Sequence, residues 1–386
     1  SCTGKLPMAQ LVLKLQLVTP LLMFGAFNGA HKDTYAAQPE IRAASLRGGL
    51  RYWLRAVYGA AYGGNIDGLH TAESRIFGST THGSAVTVRV RHKLEAVDFD
   101  PNGNYSRNDE RWDNALKVLP ERFKFAGYKE TEAGTKQEFT LLLISHPLRR
   151  DVFTPAFYSA LLLAFTLGGF GKRARRGGGG LQIVGDGDDE APDILRPMNV
   201  QNGMALAEAL KTQIFPYIEG AVAVSPTSYS PTSVPAYPIF VPDHCRVFVG
   251  TRGANDYLGA LKQMWTLTGK YHRQYSVNAA GQQVTTSNKK KNTNDPIPDE
   301  WAWGYTLNKT QIKELNNALG RRDRHERRAS ALHMRVYQCG DGNYYPIVTI
   351  FRSGRGDEKW DRVQEVVDLF NARSDFERSY GNTTRW

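Results

Sequence analysis

The sequence predicts an α+β protein made of tandem ferredoxin-like units, RRM-like in outline, each of β-α-β-β-α-β order with insertions. Three observations predict it. Residues 10–18 alternate cleanly between apolar and polar positions. Helical stretches follow the first and third strands of that half. A weaker run of the same elements recurs after about residue 244. The length of 386 residues exceeds what one core usually organises, which favours two domains, and 41% hydrophobic residues exclude a chain disordered throughout.

In chain order, QLVLKLQLV places Leu11, Leu13, Leu15 and Leu17 on one face, a strand with one buried side. SLRGGLRYWLRAVYGAAYG carries Leu46, Leu50, Trp53, Leu54 and Val57 at helical spacing, with Ser45 as the expected N-cap. AVTVRVRH (85–92) and FTLLLIS (139–145) read as strands two and three, residues 154–167 as a buried helix, and residues 181–184 as strand four. Two helices then cover one face of an antiparallel sheet and leave the other face free for a partner. The expected organisation is a first unit over 8–190, a partly Pro/Ser-rich connector over 191–243, and a second, decorated unit over 244–386. In the second unit, a strand at 245–250, a helix at 257–267, a hairpin of 332–338 with 345–351 and a helix at 359–370 are expected, with no fourth strand apparent.

The charge is informative. Forty-nine Lys and Arg against 38 Asp and Glu leave +11, which favours a polyanionic partner, nucleic acid first and an anionic membrane surface second. No apolar run approaches the roughly 20 residues of a membrane span, and no signal peptide is apparent. Cys2, Cys245 and Cys339 form no CxxC pair, consistent with a reducing, cytoplasmic setting.

Two acid-free segments concentrate the cations. Arg47, Arg51 and Arg55 recur every four residues on one helix ridge, with Arg42 just ahead and Tyr52 and Tyr58 alongside. Like charges at that spacing repel, and a phosphate backbone would relieve them while suiting the guanidinium fork. LGGFGKRARRGGGGLQI (167–183) surrounds Lys172, Arg173, Arg175 and Arg176 with seven glycines, among them Gly177 and Gly178. Such a loop can bring backbone N–H groups close to a polyanion. Lys172 is followed by Arg173, so this is no P-loop, and the partial GFGKRA follows a helix, so it is no dinucleotide fingerprint. A third cluster, RRDRHERRAS (321–330), mixes signs and reads equally as a salt-bridged turn; Lys289–Lys291 weigh little more.

Catalytic patterns are thin. No HExxH, GxSxG or metal-ligand spacing occurs, and Asp186, Asp188, Asp189 and Glu190 read as a solvated connector, so neither metal nor cofactor is expected. His31, beside Lys32 and Tyr35, is the one candidate general acid or base.

Together TPLLMFGA, IRAASLRGGLRYWLRAVYG, RIFGS (75–79), LGGFGKRARRGGGGLQI and RRASALHMRV (327–336) resemble the RAMP superfamily of CRISPR-associated RNA-binding proteins. The resemblance is strong over about residues 10–185 and weaker over 320–352. It implies a non-catalytic subunit of a type III-B RNA-guided effector complex, sited at the 3′ end of the crRNA, with crRNA, target RNA and other subunits as partners. Arg42, Ser45, Arg47, Arg51, Arg55, Lys172, Arg173, Arg175, Arg176, Gly177, Gly178, Arg327 and Arg328 are the expected RNA contacts. Two alternatives remain: a metal-independent RAMP endoribonuclease that processes precursor crRNA through His31, and a purely structural cap.

Overall fold

The computed structural model describes residues 9–24, 39–62, 65–98, 126–129, 136–186, 191–221, 235, 237–272, 275–277, 283–285, 331–353 and 360–386. The first half forms β1 (Gln10–Leu17), α1 (Ala43–Tyr62), α2 (Ile66–Phe77), β2 (Val86–His92), β3 (Glu138–Ser145), α3 (Pro155–Thr166) and β4 (Leu181–Asp186). Its sheet is antiparallel in the order β2-β3-β1-β4, the ferredoxin-like arrangement. Alternation sets the faces: Leu13 and Leu15 are fully buried under the helices, each contributing roughly 1.5–3 kcal/mol by leaving water. Thr154 caps α3, its side chain accepting from the N–H of Phe157 at 3.2 Å, and Pro155 opens the helix.

Two expectations need correction here. Ser45 is not the N-cap of α1. It lies in the first turn, and its N–H and that of Leu46 both donate to the carbonyl of Arg42, because Ile41 is drawn into the core and starts the helix earlier. α2 was not anticipated; Asn65 caps it through Gly68 N–H at 2.9 Å, and it packs on α1 and β2.

Residues 203–221, read as connector, include α4 (Gly203–Ala209), a π-helical turn (Leu210–Ile214) and α5 (Phe215–Ala221), whose Leu206, Leu210, Phe215 and Ile218 are buried. The second half contains β5 (Cys245–Gly250), α6 (Tyr257–His272), β6 (Leu332–Gln338), β7 (Tyr344–Phe351), α7 (Trp360–Asn371) and β8 (Phe376–Tyr380). Its order, β6-β7-β5-β8, repeats that of the first sheet, so the fourth strand exists. It escaped the sequence pattern because FERSY alternates poorly and its pairing slips between Arg378 and Tyr380.

The two sheets differ in what covers them. Every residue of β5 and β7 is buried, since α6 and α7 cover one face while Val247, Val249, Ile347 and Phe351 on the other join the core of the first half. The first sheet keeps exposed residues on the face away from its helices, among them Lys14, Thr87, Arg89 and Arg91.

Candidate nucleic-acid interface

The glycine-rich segment leaves α3, doubles back and enters β4. Four residues on the way lie in the left-handed region: Gly171, Gly177, Gly179 and, unusually for a side-chain-bearing residue, Arg173 at φ 61°. Its carbonyl accepts from the N–H groups of Arg176 (2.8 Å) and Gly178 (3.2 Å), closing the turn that carries the cations.

The loop's N–H groups are largely committed inside the protein. Lys172 N–H donates to Leu22 O and Gly179 N–H to Pro20 O, both at 2.8 Å, and Gly180 N–H donates to Thr19 Oγ1 at 2.7 Å. On the far side, Met334 N–H of β6 donates to Arg175 O at 3.0 Å, and Arg176 forms a parallel bridge with Met334. Gly177 and Gly178 are the two glycines expected to contact RNA. Both are buried, and a Cβ on Gly177 would run into Leu261 of α6. Gly177 allows close packing between the halves.

α1 meets the loop at Tyr52. The Arg175 guanidinium lies 5.3 Å from the Tyr52 ring centre, while Tyr52 Oη is 2.8 Å from His333 Nε2 on β6 and the two rings stack. Burial, then the nearby Arg175 charge, pushes His333 well below its ordinary pKa of 6.5, so the imidazole is neutral. Arg335, next on that face of β6, is buried and donates to Phe165 O (3.1 Å) and Leu181 O (2.7 Å), a cation seated on the carbonyl end of α3. Burial lowers its pKa to about 9.

The arginine ridge divides into two kinds. Arg51 Nε lies 3.3 Å and Arg55 Nη1 2.9 Å from the buried carboxylate of Glu73 on α2, and Arg51 also donates to the carbonyls of Phe77 and Gly78. The acid that pairs with these two expected RNA contacts is absent from α1 itself and arrives from the next helix. Arg42 lies 4.0 Å from Glu40. Arg47 has no such partner among the described residues. Lys172 is exposed with its Nζ 4.8 Å from the Phe24 ring centre, and Arg173, Arg175 and Arg176 are half-exposed.

Beside Tyr52 the loop therefore presents Arg175, with Lys172, Arg173 and Arg176 on the same turn, while Ser45 and Arg47 lie near the start of α1. Glu73 is the residue the sequence reading missed. The signal was the apolar spacing Leu69, Ile76, Phe77 that makes α2 a helix, but nothing local shows that Glu73 faces α1. His31, Arg327, Arg328, Lys289–Lys291, Asp188–Glu190 and Cys2 lie outside the described residues. Cys245 and Cys339 are buried free thiols. Among the described residues no group of His, Cys, Asp or Glu is arranged to hold a metal, and no helix is long and apolar enough to cross a membrane.

Two ferredoxin-like halves sharing one core, with a cation-bearing glycine-rich loop wedged between them, define a tandem ferredoxin-like protein of RAMP type. The sequence profile described as the RAMP superfamily matches residues 14–182, the span of the first sheet and the loop. "CRISPR system Cmr subunit Cmr1-2" of Pyrococcus furiosus is 31% identical over 192 residues, 46% of this chain and 96% of that protein. "CRISPR system Cmr subunit Cmr1-1" of the same organism is 24% identical over 88% of each. The chain belongs to the RAMP superfamily, in its Cmr1 family. The fold agrees with the crystal structure of apo Cmr1 from P. furiosus (TM-score 0.57, 17% identity, 97% of this chain and 99% of that one). It also agrees with a chain of the type III-B Cmr-β complex bound to cognate target RNA (TM-score 0.54, 12% identity, 94% and 100%).

Proposed function

We propose that the protein is a non-catalytic, RNA-holding subunit of a type III-B effector complex, placed at the 3′ end of the crRNA, with crRNA, target RNA and other subunits as its partners. Its Cmr1 relatives and the RNA-bound Cmr-β complex support membership of such an assembly. The observation that carries RNA holding is the Tyr52–Arg175 contact. It sets a loop cation against an aromatic ring of α1, the helix that also carries Arg47. Guanidinium and ammonium groups grip phosphates without reading bases.

The test is the salt dependence of single-stranded RNA affinity. Each true phosphate contact removed lowers the slope of log affinity against log salt by about 0.7. Arg47→Ala, Arg175→Ala and Arg173→Gly should each do so; glycine is chosen at 173 because the left-handed backbone there would strain alanine. Unchanged slopes in all three would remove this surface from RNA binding. Site-specific RNA cleavage in EDTA that His31→Ala abolishes would replace the reading with the endoribonuclease.

A further inference from the structure

The outer face of the first sheet carries cations that the α1–loop surface does not use. Register places Arg91 (β2), Thr140 (β3), Lys14 (β1) and Gly185 (β4) in one row across all four strands. In the next row Arg89 pairs with Leu142, which pairs with Val12. Lys14, Arg89 and Arg91 are all exposed, and among the described residues none has an acidic partner within ion-pair distance. Glu138, two positions from Thr140 on the same face, is the nearest acid along β3.

Two ordinary explanations fall short. Cations on an edge strand deter edge-to-edge pairing, which covers Arg89 and Arg91 on β2, but Lys14 sits on an interior strand between β3 and β4. Its neighbour Gly185 is bare: a Cβ there would lie 3.3 Å from Lys14 Cδ, so the stem of Lys14 lies over β4 and its charge extends the row to the sheet's far side. A protein partner's apolar anchor also finds little to pack on, because Leu142, at the centre, is only 5% exposed and its apolar neighbours Val12 and Ile144 are themselves half-buried among Thr87, Thr140 and charge. The row bears no aromatic ring, so it suits a sugar–phosphate backbone and not stacked bases.

The geometry points to a second RNA track on this face, in which Lys14, Arg89 and Arg91 hold the backbone of a strand laid across β1–β3, on the side of the sheet away from α1 and α3. The inference rests on the RNA-holding reading above and extends it to a separate surface. All three side chains are exposed, so the full-length triple variant Lys14→Ala, Arg89→Ala, Arg91→Ala should fold, with an unchanged urea midpoint as the control.

Single-stranded RNA affinity is measured against salt for wild type, for this triple variant and for Arg47→Ala/Arg175→Ala, using one short oligonucleotide and one long enough to reach both surfaces. The expected result is that the triple variant lowers the salt slope by about 2 on the long RNA and leaves the short RNA, held at the α1–loop surface, unchanged. An unchanged slope on both RNAs, with Arg47→Ala/Arg175→Ala still impaired, overturns the second track alone. A triple variant with intact RNA binding but lost association with partner subunits assigns the face to protein and also overturns it. Failure of the wild type to bind either RNA sinks both this inference and the reading beneath it.

Discussion

Glu73 holds two of the three ridge arginines of α1 in ion pairs. Its carboxylate is almost fully buried, whereas the side chains of Arg51 and Arg55 are partly exposed at 30% and 43%. An ion pair with one buried member costs more to break than a surface pair, because the orphaned group keeps its desolvation cost. Glu73→Gln keeps the shape and removes the charge. It is expected to lower stability by about 1–3 kcal/mol, read as a urea-midpoint shift at constant m, and at the same time to steepen the salt dependence of RNA binding as Arg51 and Arg55 are released. An unchanged salt dependence would show that releasing the two arginines adds no phosphate contact. The sequence could not show this pairing: the run from Ser45 to Gly64 is free of acids, and the neutralising residue is supplied by a different helix.

At the scale of elements, the glycine-rich loop is visible in the sequence, whereas the packing role of its glycines is not. Composition identifies a tight, cationic turn. Only the fold reveals that Gly179 (φ +63°) would drive a Cβ into the Phe170 carbonyl, and that a Cβ on Gly49 would lie 2.6 Å from the Phe170 ring. Gly179→Ala should therefore cost at least about 2 kcal/mol in urea denaturation. Gly48→Ala offers the contrast. Nothing lies within 4 Å of its Cβ position in mid-helix, so that substitution should stabilise by roughly 0.5–1 kcal/mol. The strands were legible for a related reason: β1 alternates with one buried side, and β3 is a short run of Phe, Leu and Ile. Strands β5 and β7 are buried on both faces and read as apolar runs, while β8 mixes charge with a register slip and left no pattern.

For the whole molecule, the contact between halves is a titratable one. His333 packs among Tyr52, Trp53 and Phe351 and faces Arg175. In the unfolded chain it takes a proton near its ordinary pKa of 6.5, and in the folded protein it resists protonation until well below that. The stability it supports is thus fully present above about pH 6.5 and declines as pH falls towards the folded value, by up to about 1.4 kcal/mol per pH unit. His333→Gln should be less stable near neutral pH and should show a shallower loss on acidification, the two slopes differing by about one proton in urea midpoints taken across that range. Parallel slopes would mean that His333 does not govern the acid response.

The bridge from Arg176 to Met334 also sets an order of events. Domains form from the N-terminus as the chain is made. The outer rim of the loop meets its partner strand only after residues 332–338 have been synthesised, long after the first sheet is complete. A nascent chain thus carries the cations of 172–176 on a loop still lacking its final brace, and that loop reaches its braced shape only once residues 332–338 have joined it.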